Sequence, residues 1–184
     1  MTSDRFTGLA LANPVNAAIL ARLPVLGLPQ AHLVAGCLFQ AVWNHRAGRP
    51  PGDAVKDYDI FYFDDADLSW EAEDRAIRAA AALFQDLGVE VELRNQARVH
   101  LWYPDRFGAP YPRLHSARDG IDRYLVACTC VGLPADGGAP YLPDSLDDLW
   151  HGRLRINPRH PQPRQFAAKA ESYRARWNWL SVEG

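Results

Sequence analysis

Residues 57–63 read Asp-Tyr-Asp-Ile-Phe-Tyr-Phe. The segment Lys56–Phe63 is dense in aromatic and branched side chains, which pack well on a pleated surface, so it reads as a strand. Strand residues two apart share a face. Asp57 and Asp59 therefore project together, with Cα atoms about 7 Å apart. Phe61 and Phe63 follow on the same side. Two neighbouring ionised carboxylates repel each other, and a hard divalent cation is the natural relief. Magnesium prefers oxygen ligands, keeps several waters and commonly shares its remaining positions with substrate phosphates. A solvated strand end carries the same Asp-x-Asp pattern, so the pair needs its context.

That context is an alternation of helix and strand patterns. Asn13-Pro14 is an N-cap followed by proline at the first helical position, the start of a first helix. His32–Ala35 is a short apolar run ending at Gly36 and reads as a strand. Cys37–Trp43 follows with helical spacing, pairing Leu38 with Val42 and Phe39 with Trp43, and stops at Gly48 and Pro50-Pro51-Gly52. The Asp57–Asp59 strand comes next. Ser69 then caps a helix with Trp70, Ile77, Ala81 and Phe84 on one stripe, ended by Gly88. Val89–Leu93 alternates strictly and reads as a third strand, and the apolar run Tyr124–Leu133 as a fourth, interior one. Short helices are expected at Ser116–Arg123 and Ser145–Trp150, and a last helix over about Pro163–Leu180. Between Arg94 and Tyr103 the signals mix, and either a helix or an extended segment fits. The order predicts one α/β (α+β) domain over 1–184, core about 15–180, with a mixed sheet of about four or five strands flanked by helices.

Composition narrows the classes. Of 184 residues, 48% are hydrophobic and 23% charged, with a formal net charge of -2. These values exclude a disordered or collagen-like chain and give no global attraction to nucleic acid. No basic-aromatic nucleic-acid motif is visible. No apolar run approaches the about 18 residues a membrane-spanning helix needs. Three cysteines, Cys37, Cys128 and Cys130, are too few and too odd a count for a disulfide framework, so a cytoplasmic setting is expected. Charge is uneven, however. Residues 53–74 hold nine acids against Lys56, and residues 151–184 hold seven bases, Lys169 and Arg176 among them, against two acids. Either these are two solvated faces, or a metal-binding edge lies opposite a basic surface for an anionic substrate.

Gly36 stands at the mouth of a helix, where the absence of a Cβ lets a phosphate approach backbone N–H groups and the positive helix end. With the carboxylate strand next in sequence, Ala35-Gly36-Cys37 followed by Asp57-Tyr58-Asp59-Ile60 resembles the nucleotidyltransferase superfamily that includes DNA polymerase beta. More closely, the chain resembles a little-characterised bacterial nucleotidyltransferase-like family. Ala35-Gly36, Val42-Trp43-Asn44, Asp57–Asp64, the block Asn95-Gln96-Ala97-Arg98-Val99-His100-Leu101-Trp102, Asp147–Trp150 and Ile156-Asn157-Pro158 carry that resemblance.

The resemblance implies transfer of a nucleotidyl group from an NTP to an unidentified acceptor. It further implies Mg2+ or Mn2+ held by Asp57 and Asp59, with metal ions activating the acceptor oxygen and stabilising the leaving pyrophosphate. Glu92 is the expected third carboxylate; Glu90 shares its face, and both also fit a solvated alternating strand. Gly36 and Cys37 would meet the phosphates. Cys37 stands where many relatives have serine or glycine, and a thiol donates weakly, so backbone N–H groups would do that work. Arg98 is expected on a phosphate and Asn95 on substrate or backbone; alternatively Asn95 and Gln96 stabilise a turn and His100 is an inner polar residue. The rival to an enzyme is a nucleotide- or ligand-binding module on the same scaffold with little catalysis. A metal-dependent phosphohydrolase is a third class.

Overall fold

The computed structural model describes residues 1–183. Helices α1 (Ser3–Leu11) and α2 (Pro14–Arg22) precede strand β1 (His32–Val34), helix α3 (Gly36–Arg46) and strand β2 (Asp57–Tyr62). Helix α4 (Trp70–Phe84), strand β3 (Glu90–Asn95), helices α5 (Val99–Phe107) and α6 (Ala117–Ile121) and strand β4 (Gly132–Pro134) follow. The chain ends through α7 (Leu146–His151), β5 (Arg153–Leu154), α8 (Pro163–Arg176) and β6 (Ser181–Val182). One sheet has the order β3-β2-β1-β4, and β5 pairs with β6 separately. β2 and β3 are parallel, joined by α4, while β1 is antiparallel to both β2 and β4. The expected mixed sheet with flanking helices is therefore what forms.

β2 shows why its sequence makes this strand. Tyr58, Ile60 and Tyr62 are at most 3% exposed and face the core, while Asp57, Asp59 and Phe61 alternate onto the other side. A one-residue slip of register would bury two carboxylates, so the pattern itself fixes the register.

α3 is the hub. Every residue from Cys37 to Asn44 is buried, as expected for a helix apolar nearly all round. Phe39 and Trp43, 4.7 Å apart, meet Tyr173 and Trp177 of the C-terminal region with ring centroids 5.2–5.4 Å apart in edge-on contacts. Such geometry adds to the burial of the rings themselves. The indole N–H groups are satisfied: Trp43 donates to the Leu149 carbonyl at 3.0 Å and Trp177 donates to Asn44 Oδ1 at 2.9 Å. The Asn44 amide donates in turn to the Pro51 and Asp53 carbonyls, at 3.2 and 2.7 Å. One side chain thus ties α8 to the loop that delivers β2.

Two elements differ from the sequence reading. α1 is a helix before the expected first one, capped by Thr2, whose hydroxyl accepts from the Arg5 N–H. Only Phe6 and Ala10 of it are buried, one i,i+4 pair, so its apolar signal is thin. The run Tyr124–Leu133 is not one strand. Residues 127–129 form a tight turn in which the Thr129 hydroxyl donates to the Val126 carbonyl at 2.7 Å, and only Gly132–Pro134 joins the sheet. Burial rather than strand pairing explains that run, including the buried, free Cys128 and Cys130.

Replacing Asn44 with alanine orphans the Trp177 indole and two carbonyls. Asn44→Ala is expected to cost about 2–4 kcal/mol, lowering Tm by roughly 5–15 °C for a chain of this size. Urea and thermal unfolding check it; an unchanged midpoint would show that this tie is dispensable.

Candidate active site

Asp57 and Asp59 open onto a cavity of about 450 Å³ between β2, the start of α3 and the outer stripe of α8. Ala35, Gly36 and Gln40 form one wall, and Lys169, Ser172, Tyr173 and Arg176 the other. The last four recur at i, i+3, i+4 and i+7, one face of a helix. Lys56 and Tyr124 close the remaining sides. The α8 stripe that packs on α3 thus lies beside a second stripe carrying two cations toward the carboxylates. Arg176 is half-buried and donates to Gln40 Oε1 at 3.2 Å.

The entry to α3 is strained. Ala35 adopts φ 51° and ψ -115°, a region disfavoured for any residue with a Cβ. No side chain caps the helix here, so its first N–H groups and positive end are left for whatever lies in the cleft. Gly36 itself has ordinary backbone geometry but stands at a close approach: a Cβ there would lie 3.1 Å from Gln40 Nε2 and 4.0 Å from Asp57 Oδ1. The residue with the unusual turn is thus Ala35, and the one whose bareness keeps the cleft open is Gly36.

The carboxylates are under electrostatic stress. Burial first, then the negative charges of Asp57 and Glu92, push the Asp59 carboxyl up to about 7. Lys169 and Arg94 oppose this incompletely. Glu92 lies directly opposite Asp59 in the parallel register, so the three carboxylates share one sheet face. Its carboxylate meets Arg94 at 3.5 Å, however, and does not line the cavity. Glu90, opposite Asp57, is exposed. Among the described residues no three His, Cys, Asp or Glu side chains gather to hold a metal ion. Two carboxylates in an open polar cleft do suit magnesium, which binds through one or two carboxylates and completes its shell with water and phosphate.

The other expected site residues lie elsewhere. Cys37 is fully buried, its thiol directed to the Val34 carbonyl and pushed well up in pKa by burial, so only its backbone is near the cleft. Asn95 is 1% exposed. Its amide exchanges two hydrogen bonds with the Asp64 backbone, at 2.8 and 3.1 Å, and its Oδ1 also accepts from the Ala97 N–H. Arg98 is 7% exposed, donates to the Leu68 carbonyl at 2.9 Å and pairs with buried Glu73. Glu73 also accepts from the Asn95 N–H at 2.9 Å. Asn95 and Arg98 therefore do not reach the Asp57–Asp59 cleft; they brace the loop between β2 and α4. Gln40, Lys56, Tyr124, Lys169, Ser172 and Arg176 line the cavity but were not singled out for the site. The basic C-terminal run was the only signal for two of them.

A family model described as Nucleotidyltransferase matches residues 21–182. An NMR structure described as revealing a CCA-adding enzyme head domain superposes with a TM-score of 0.71 at 25% identity, covering 93% of this chain and 90% of that one. No curated protein matches. No single helix among the described residues is long and apolar enough to cross a membrane.

Two outcomes follow from this geometry. Asp59 binds its proton more tightly when folded than when unfolded, so it lowers stability as pH rises from about 4 to about 7. In metal-free buffer Asp59→Asn should match the wild type near pH 4 and exceed it by several degrees in Tm at pH 8; a gap independent of pH would contradict the buried-carboxyl account. Removing Arg98 strands the buried Glu73 charge. Arg98→Ala should cost about 3–5 kcal/mol, against about 0.5 kcal/mol or less for Lys169→Ala on the exposed stripe, as read by urea unfolding.

Proposed function

The chain belongs to this nucleotidyltransferase family, and on that premise we propose that it transfers a nucleotidyl group from an NTP to an acceptor hydroxyl with Mg2+ or Mn2+ as cofactor. The observation that carries the proposal is the facing of Asp57 and Asp59 by Lys169 and Arg176 across one cavity. Anionic phosphates suit the cationic wall, and a divalent cation suits the acidic one. The likeness to a CCA-adding head domain points the same way.

Asp57 and Asp59 would hold the cation, Asp59 giving up its proton as the cation arrives. Bound there, the cation supplies charge neutralisation for the triphosphate and a more acidic acceptor oxygen. Lys56, Lys169 and Arg176 would sit on the outer phosphates, and Arg176, held by Gln40, is the more fixed of them. Bare Gly36 and the uncapped start of α3 admit a phosphate against backbone N–H groups. In the transfer itself the acceptor oxygen bonds to the α-phosphorus, the bond from that phosphorus to the bridging oxygen breaks, and pyrophosphate leaves. The acceptor proton passes to a carboxylate of the pair or to water. Glu92 would join only by turning away from Arg94. That pairing is the observation favouring the second reading, a nucleotide-binding module with little catalysis.

Calorimetry with each NTP tests this. Magnesium-dependent binding is expected, reduced at least about 100-fold, or about 3 kcal/mol, in folded Asp57→Asn/Asp59→Asn, with pyrophosphate released once an acceptor is supplied. No binding with either metal would overturn the proposal, and release of orthophosphate would point to a hydrolase instead.

A further inference from the structure

The open face of β2 and β3 does not end at the carboxylates. Beyond Asp59 it continues into Phe61 and Arg94, neighbours in the parallel register. There a second cavity of about 420 Å³ opens, with aromatic rings on two of its sides and polar side chains between them. Phe61 stacks on Tyr124 at 5.8 Å with planes 9° apart. Tyr103 packs on Tyr111 and Phe107 at 4.4 and 4.6 Å on the other side, with Trp102 next to it. Tyr124 lines both cavities, so they meet along one sheet face.

Polar groups without partners lie in these walls. The Tyr124 hydroxyl and the Arg123 Nε are buried and make no hydrogen bond within the protein. Such groups are costly unless something else satisfies them. Arg123 Nη2 lies 3.1 Å from His160 Nδ1. A guanidinium can only donate, so this ring nitrogen accepts and the His160 hydrogen sits on Nε2. Burial, and then the neighbouring Arg123 charge, lower the His160 pKa and so favour its neutral ring. Gln162 and Gln165 add amides that both donate and accept at the same mouth.

Aromatic walls, edge-on hydrogen-bonding groups and a position a residue or two along the strand from the carboxylates define one kind of occupant. We propose that this second cavity is a nucleobase subsite, taking the purine or pyrimidine ring of a substrate whose phosphate or reacting hydroxyl lies at Asp57 and Asp59. The identification of the ring as a nucleobase rests on the nucleotidyl-transfer reading. The ring belongs either to the NTP or to the acceptor; its recognition chemistry is the same. Stacking on the rings supplies affinity for any base, and His160 with the two glutamines supplies discrimination among base edges.

The test is an NMR titration of the isotope-labelled chain with each of the four ribonucleosides, which carry no phosphate, and with ribose as control. The Gln165 side-chain amide, assigned through Gln165→Glu, and the Trp102 indole N–H, assigned through Trp102→Phe, read the second cavity. The Gly36 and Lys169 amides, titrated separately with magnesium tripolyphosphate, read the carboxylate cleft. At least one nucleoside should shift the Trp102 and Gln165 side-chain signals saturably while ribose does not, and Trp102→Ala, followed through the Gln165 amide, should weaken that binding about tenfold. Trp102 is only half-buried, so the variant is expected to keep its fold, which circular dichroism verifies. A magnesium α,β-methylene NTP that displaces the nucleoside assigns the ring to the donor; simultaneous binding assigns it to the acceptor. Absence of any nucleoside shift, or shifts matched by ribose or unaltered by Trp102→Ala, would overturn the subsite. Tripolyphosphate binding without nucleoside binding overturns the subsite alone. Nucleoside binding without tripolyphosphate binding keeps the subsite and removes the transferase reading.

Discussion

The hydrogen bond from the Trp177 indole to Asn44 joins two parts of the chain 133 residues apart, and the rest of the cleft depends on it. α3 alone would be a buried helix with a strained entry, and β2 alone a strand with a crowded acidic face. Docking Tyr173 and Trp177 on Phe39 and Trp43 fixes the rotation of α8. Once that stripe is buried, helical geometry leaves no choice for its neighbour: Lys169, Ser172 and Arg176 must face the carboxylates. Packing free energy is thereby converted into the placement of charge.

That placement leaves the site deliberately unrelaxed. Asp59 is pulled from water beside Asp57 and Glu92, and two nearby cations compensate only partly. Ala35 holds a backbone conformation disfavoured for a residue with a Cβ. The Arg176 guanidinium is itself partly desolvated, which lowers its pKa. Conflicts of this kind concentrate where a ligand is to resolve them. A divalent cation with an anionic phosphate chain would answer the carboxylates and the cations together.

Legibility in the sequence tracked the range of the forces involved. The Asp57–Asp59 face was readable because strand alternation is local and the strand has no competing pattern. The Asn95–Trp102 block was distinctive enough to mark the family, and of the two roles open to Asn95 the structure shows the backbone one, while Arg98 meets Glu73 rather than the cleft. Asn95 and Arg98 have the chemistry of substrate contacts, yet their partners, the Asp64 backbone and Glu73, lie 31 and 25 positions earlier and take up that chemistry internally. The acidic run divides in the same way: Asp57 and Asp59 reach the cleft, whereas Glu73 is buried against Arg98. Lys169 and Arg176 were visible only as part of a basic stretch, because their meaning depends on α8 docking across the whole chain. Tyr124 was hidden inside a run that looked like an interior strand and is in fact a turn beside the sheet.

On the proposed reading, a divalent cation would bind the Asp57–Asp59 pair beneath α8 rather than the wider acidic segment. Paramagnetic broadening by substoichiometric Mn2+ in an amide NMR spectrum tests this most directly. Signals of Gly36, Asp57, Asp59, Lys169 and Ser172 should disappear first, while those of the Asn95–Arg98 brace and the Asp64–Asp67 loop persist. Broadening centred on that loop, or spread evenly over the acidic surface, would contradict it.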